Sequence, residues 1–398
     1  MEKKFIIIMA SIILLLSITL GALLIAGPGI NLNFDGIRNI SLPEIGLFSN
    51  NEEDAAAPND AALNDSVLND VSDNIERSPY YLQIDGVWLL RLAGHHWPGD
   101  PATKAMDWAA QEIYNRTDGA IRIEHFPSGI LGDSYEIVED VVAGRIDMFA
   151  GFTPTFLDKM TAILMLPHLV TDFEDGKHIW TYGSNFFTIV NELAEENNLK
   201  LIGILPSGFA GIGTTTQFDS ATVWDYDRPS RELLIRIPPF REVNIMAEIM
   251  QLRTTEIPFV DVSNAFSTGF IDGWIGGDPE LNYIFVRNEI SYFYDFRYIN
   301  ESAVIVINKE LFYSMPEILR EIIFEVMQEA SIRVINEREE RSTYYLHRMR
   351  NAGITVFQPT DAQREQMQEV TIRRGWPMFA DEFGIDQDVL DRLLEDIR

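Results

Sequence analysis

Cysteine is missing altogether from the 398 residues. Disulfides, thiolate metal sites, cysteine nucleophiles and a lipid-modified N-terminal cysteine are therefore excluded, and any membrane tether has to be the polypeptide itself. Basic residues are scarce: 31 Lys and Arg stand against 61 Asp and Glu, a formal charge of -30. That balance argues against nucleic acid as a partner, since phosphate backbones are held by clustered basic surfaces. An anionic ligand would need a local cation. Familiar catalytic spacings are absent too, with no GxSxG elbow, no phosphate-binding P-loop and no HExxH pair. The stretch GFAGIG at 208–213 lacks the strand-helix context and the acidic ribose partner of a dinucleotide site. Neighbouring His95 and His96 point in different directions; with His125 they leave a secreted zinc enzyme as a minor alternative, without a ligand spacing to support it. No metal and no cofactor is expected.

What the chain does have begins with Lys3 and Lys4, followed by an apolar run from Phe5 to about Ala26. About 20 apolar residues span a bilayer as a helix, whereas a cleaved signal needs only about 7 to 15. Residues 1–30 thus read as a membrane anchor or signal segment, with the lysines cytoplasmic and everything downstream exported. Residues 31–78 form an acidic linker: eight acids and one base lie between Asn50 and Ser78, a composition unable to bury a core.

From Trp88 onward strand and helix signals alternate. WLLRLAG reads as a strand, and Asp100 with Pro101 starts a helix whose buried stripe is Ala105, Met106, Ala109, Ala110 and Ile113. AIRIEHF, a helix over Ser134 to Ala143, and RIDMFAGF complete a βαβ unit. A second block runs through LKLIGIL, a turn, ELLIRIPPF, a helix through Met246 to Met250, a helix over Asp261 to Thr268, and FIDGWIG. Two such blocks predict an α/β chain with two lobes and parallel or mixed sheets. After Pro316, apolar positions 318, 319, 322, 323, 326, 327, 330 and 334 mark one long helix, on the order of 50 Å if it continues to Arg350, able to brace both lobes.

Ligands of open α/β sheets bind beyond the carboxyl ends of strands. The tips to examine are GHHWPGD, GFTPT, SGFAGIGTTT, RIPPF and GWIGGDPE. Arg236 sits inside the apolar strand LLIRIPPF, where it needs a partner: a structural ion pair, or the carboxylate of a ligand clamped by its donor fork. Trp274 stands among Gly273, Gly276 and Gly277, either as a strand-end core aromatic or as a wall to which the glycines allow close approach.

Several longer stretches, RLAGHHWPGDPATKAMDWAAQEIYNRTDGAIRIEHFPSGILGDSYEIVEDVVAGRIDMFAG, LPHLVTDFEDGKHIW, LIRIP, IPFVDVSNAFSTGFIDGWIGG and INKELFYSMPEILREII, follow in an order and spacing that resemble the substrate-binding protein of a tripartite ATP-independent periplasmic (TRAP) transporter of the DctP-like type, over about Trp88 to Phe357. The resemblance implies a two-lobed fold like that of periplasmic binding proteins, with a long bracing helix. Lobe I would span 79–205 and lobe II 206–300; residues 301–398 would hold a return strand to lobe I, the bracing helix and C-terminal helices. It implies an extracytoplasmic receptor, no enzyme, that closes on a small organic carboxylate and delivers it to membrane permease subunits. Coupling to a signalling receptor is the alternative.

On this resemblance Arg236 matches the family's carboxylate-binding arginine and Phe259 its aromatic wall. Lobe I would add His95, His96, Trp97, Asp133 and Phe152; lobe II would add Phe209, Thr214, Thr215, Trp274, Gly277 and Asp278. Relatives often carry an asparagine after the Asp-Gly step, in a pattern like DGQENP, where this chain reads DGWIGG over 272–277 and lacks that amide, and some carry a basic residue within 208–215, where this chain has none. A monocarboxylate or an oxo or hydroxy acid is accordingly expected in preference to a dicarboxylate.

Overall fold

A hairpin opens the described part of the chain, a computed structural model that covers residues 82–84, 86–219, 222–227 and 232–397. Strand β1 (Leu82–Ile84) turns at Gly86, whose φ of 85° suits glycine, and returns as β2 (Val87–Gly94). Helix α1 (Pro101–Arg116) starts where the Asp100 carboxylate accepts the Ala102 N–H at 2.8 Å with Pro101 in the first turn; Ala105, Met106, Ala109 and Ile113 are its buried stripe. Next come β3 (Ile121–Phe126), α2 (Ser134–Val142) and β4 (Met148–Gly151), with β3 and β4 both parallel to β2. Helices α3 (Asp158–Leu164), α4 (Phe173–Ile179) and α5 (Asn185–Glu196) lead into the long strand β5 (Leu199–Phe209).

β5 belongs to the same sheet because a later strand, β11 (Asn300–Asn308), lies between β4 and β5, antiparallel to both. The remaining strands form a second sheet. These are β6 (Ile212–Thr214), β7 (Leu234–Ile237), β8 (Arg253–Glu256), β9 (Gly273–Ile275), β10 (Tyr292–Tyr294) and β12 (Thr355–Phe357), in the order β12-β10-β6-β9-β7-β8. Helices α6 (Arg241–Ile249), α7 (Val262–Ser267) and α8 (Pro279–Val286) connect them. The fold is two-lobed α/β with two mixed sheets, as the alternation of signals predicts.

Between the sheets the chain crosses within two residues, from Phe209 of β5 to Ile212 of β6. The sequence reading of SGFAGIGTTT as a turn is corrected here: most of it is strand. Its glycines mark close approaches instead. A side chain at Gly211 would strike the Phe293 ring, 2.3 Å from where its Cβ would lie.

The chain ends in helices α9 (Lys309–Ser314), α10 (Glu317–Asn351), α11 (Asp361–Val370), α12 (Trp376–Phe383) and α13 (Gln387–Ile397). At 35 residues α10 is about 50 Å long. Its first half gives Ile323, Val326, Met327, Ala330 and Val334 to the core between α1 and the first sheet. Its far end gives Leu346 and Met349 to the core of the second lobe around Trp274 and Phe293. One rigid element is thereby built into both lobes. Ile318, part of the expected apolar stripe, is exposed, since the helix first meets the sheet a turn later. The α10 backbone approaches β5 closely at Gly203, where Ser331 Oγ accepts the Ile204 N–H at 3.2 Å and a side chain would have no room.

Among the described residues no helix is long and apolar enough to cross a membrane. The expected anchor or signal segment and the acidic linker lie outside the described residues.

Candidate ligand-binding cleft

All five strand tips singled out in the sequence contribute to one cleft of about 550 Å³. Its walls come from His96, Trp97 and Phe152 of the first lobe, from Ser207, Gly208 and Ala210 at the crossing, and from Arg236, Phe259 and Trp274 of the second lobe. Most of the remaining lining is apolar, including Phe240, Ile284 and Phe285.

Arg236 is positioned by strand register. It pairs across with Trp274 of β9 and with Thr255 of β8, so the two side chains Arg236 and Trp274 share a sheet face; the guanidinium carbon lies 5.9 Å from the indole centroid. Arg236 Nε donates to the Ile257 carbonyl at 2.7 Å and Nη1 to the Ile275 carbonyl at 3.3 Å. Both acceptors lie at the carboxyl ends of the neighbouring strands. The side chain is 3% exposed, and among the described residues it forms no ion pair. Burial pulls its pKa down to about 10, which leaves the cation intact at neutral pH. Among the described residues its Nη2 has no acceptor and no carboxylate lies beside it, an arrangement chemically able to receive an anion.

Trp274 is 1% exposed. It packs in the second lobe's core with Phe293, and it lines the cleft. Its Nε1 donates to Asn282 Oδ1 at 2.8 Å, and Asn282 in turn donates to the Gly277 and Asp278 carbonyls. Gly276 is needed because a Cβ there would lie 2.4 Å from the indole ring. Phe259 continues the wall, 6.1 Å from Trp274 and 5.0 Å from Phe285 between centroids.

The cleft's other charges are mostly paired. Arg338 of α10 donates from Nη2 to both oxygens of Asp100, at 2.9 and 2.8 Å, and both residues are buried. Arg341 pairs with Glu280. Asp278 caps α8 by accepting the Leu281 N–H at 2.9 Å, and burial pushes its carboxyl up to about 6. His96 is buried and held neutral, its pKa pushed down to about 4 by desolvation although Asp100 opposes the shift.

Of the sequence candidates, Arg236, Trp274, Phe259, His96, Trp97, Phe152, Gly277 and Asp278 line the cleft. His95, Phe209, Thr214, Thr215 and Asp133 do not. His95 lies behind the wall with its ring against Phe149, and burial lowers its pKa. Phe209 is a core aromatic packed on Phe173 and Trp180. Thr214 is fully buried with its hydroxyl donating to the Thr216 carbonyl, and Thr215 donates to the Asp272 carbonyl. Asp133 is spent in the capping box of α2 with Glu136.

Tyr298, Glu301 and Arg338 line the cleft without a sequence signal to announce them. Tyr298 lies in the loop between β10 and β11, Glu301 sits at a slip in the register of β11, and Arg338 is one charge among many on a helix face. Among the described residues no group of three or more His, Cys, Asp or Glu is arranged to hold a metal ion.

None of the curated proteins compared matches the chain. Solved structures do match in fold. A TRAP periplasmic solute-binding protein from Ochrobactrum anthropi aligns with a TM-score of 0.68 at 17% identity, covering 77% of this chain and 94% of that one. One from Haemophilus influenzae, solved with bound L-gulonate, gives 0.61 at 18% identity, covering 77% and 99%. The Bordetella pertussis extracytoplasmic solute receptor DctP7, which binds pyroglutamic acid, gives 0.60 at 18% identity, covering 77% and 98%. Residues 93–378, well over half of the sequence, match the DctP family profile, and the chain is a member of bacterial extracellular solute-binding protein family 7.

Proposed function

We propose that this protein is the extracytoplasmic receptor of a TRAP transporter, which takes a small organic carboxylate into the cleft between its lobes and delivers it to the membrane permease. The observation that carries this reading is Arg236: buried, cationic, oriented by two backbone carbonyls and without a carboxylate of its own among the described residues. A ligand carboxylate would take the uncommitted donors, and lobe closure would strengthen the pair by removing water. His96, Trp97 and Phe152 would close on the ligand from the first lobe, with Phe259 and Trp274 as the wall of the second and Gly277 and Asp278 at its edge. No second cation free of an acid lines the cleft among the described residues, which favours one carboxylate over two.

The N-terminal segment would hold the receptor at the outer face of the membrane, with the acidic linker setting its reach and raising its effective concentration at the permease. A thermal-shift screen of the full chain in detergent, unfolded and refolded to strip co-purified ligand, tests the carboxylate reading. Mono-, oxo-, hydroxy- and dicarboxylates are the probes. Stabilisation by monocarboxylates supports it, and absence of any shift across all four classes refutes it.

A further inference from the structure

The cleft contains one carboxylate that the anion reading leaves unexplained. Glu301 follows Asn300 at the start of β11, where the pairing with β5 slips: Asn300 lies opposite Phe209, but Ser302 lies opposite Pro206. The extra residue falls in β5 at Ser207 and Gly208, and Gly208 takes a φ of 111°. Bulges of this kind turn a side chain out of the ladder's alternation. Here Ser207, Gly208 and Glu301 all line the cleft.

Every other cleft acid has a protein partner: Asp100 has Arg338, Glu280 has Arg341, and Asp278 caps a helix. Glu301 has no hydrogen bond or ion pair among the described residues. Burial against the cleft walls raises its carboxyl to about 7 even though solvent reaches it, and the acid Glu242 adds to the shift. Tyr298, a buried residue of the cleft lining, is influenced by both Glu301 and the Arg236 cation. The cleft thus carries one cation and one carboxyl group that lack a protein partner among the described residues, in walls that are mostly apolar. A plain monocarboxylate would satisfy the first and leave the second without a partner.

We infer that the ligand is zwitterionic, an apolar amino acid or cyclic amine acid whose carboxylate is taken by Arg236 and whose ammonium is taken by Glu301. This rests on the carboxylate reading of Arg236 and narrows it. The ammonium supplies the counter-charge and the donors that Glu301 lacks, while the apolar body meets Phe259, Phe285 and Phe152.

Titration calorimetry on the full chain in detergent, stripped of bound ligand, tests it with hexanoate, 2-, 4- and 6-aminohexanoate, cyclohexanecarboxylate and the three piperidinecarboxylates. The native protein is expected to bind at least one amino acid about tenfold or more tighter than its amine-free counterpart. Glu301→Gln should erase that preference while the amine-free acids bind as well or better, and Arg236→Gln should weaken both kinds. If the native protein takes the amine-free acids through Arg236 and disfavours every amine, or if Glu301→Gln leaves an amine preference intact, the zwitterion inference is overturned and the carboxylate reading stands. If all eight fail to bind, the zwitterion inference is overturned, and if they bind with an affinity indifferent to Arg236→Gln, both are overturned.

Discussion

Replacing Arg338 by leucine removes half of a buried ion pair and gives a clean measure of how α10 holds the cleft together. Asp100 is fully buried, and its oxygens receive Arg338 Nη2 at 2.9 and 2.8 Å and the Ala102 N–H at 2.8 Å. In Arg338→Leu the carboxylate keeps the backbone donor and loses its counter-charge. Breaking such a pair costs about 3–5 kcal/mol, because an uncompensated charge is left in the interior. At roughly 2 °C per kcal/mol for a chain at least this large, the melting temperature should fall by about 6–10 °C. Adding Asp100→Asn removes the stranded charge and keeps the helix cap, since asparagine caps as well as aspartate. The double variant should recover half of the loss or more. Circular dichroism melts of the full chain in detergent read both numbers. A fall under about 2 °C in the single variant, or a double variant no more stable than the single, would refute the reasoning.

Three further outcomes are expected. Gly203→Ala would set a Cβ 2.7 Å from Ile305 Cδ1 and 2.8 Å from Ser331 Oγ, so denaturant unfolding should show a loss of about 1–3 kcal/mol without a change in ligand preference. Asp278, raised by burial to about 6, is costlier to ionise in the fold than in the unfolded chain. Native stability measured against Asp278→Asn should therefore decline as pH rises from about 4 through about 6, by about 2–3 kcal/mol, and be flat above; a difference that grows with pH would contradict the assignment. Removing residues 1–30 should release the protein from membranes and leave ligand affinity unchanged, and a loss of affinity in a binding titration would contradict the tether role.

The parts of this fold legible in the sequence are those fixed by local chemistry. Asp100 and Pro101 start α1 because a carboxylate and a proline suit an N-terminus whatever surrounds them, and the stripe of α10 follows from helical period alone. Arg236 was legible because an arginine in an apolar strand demands an explanation. Phe209 misled because a strand-end aromatic near a crossing faces the core or the cleft according to pairing, and the β5–β11 register sends it against Phe173 and Trp180. Asp133, expected to reach the ligand, is a helix cap. Glu301 was invisible because its exposure to the cleft depends on a slip between strands about ninety residues apart. The glycines around Trp274 allow either a core aromatic or a wall open to close approach, and the fold shows that Gly276 makes room for the indole itself.

The most direct test of the central claim compares native protein, Arg236→Gln and Arg236→Lys by calorimetry against whichever carboxylate stabilises the native chain most. Saturating ligand at about 100 times its dissociation constant adds roughly 2.7 kcal/mol, so the choice of probe is readable from melting curves. The account predicts that Arg236→Gln weakens binding by about a hundredfold or more and that Arg236→Lys restores only part, because an ammonium keeps the charge and loses the planar fork. Equal affinity in native protein and Arg236→Gln would contradict it.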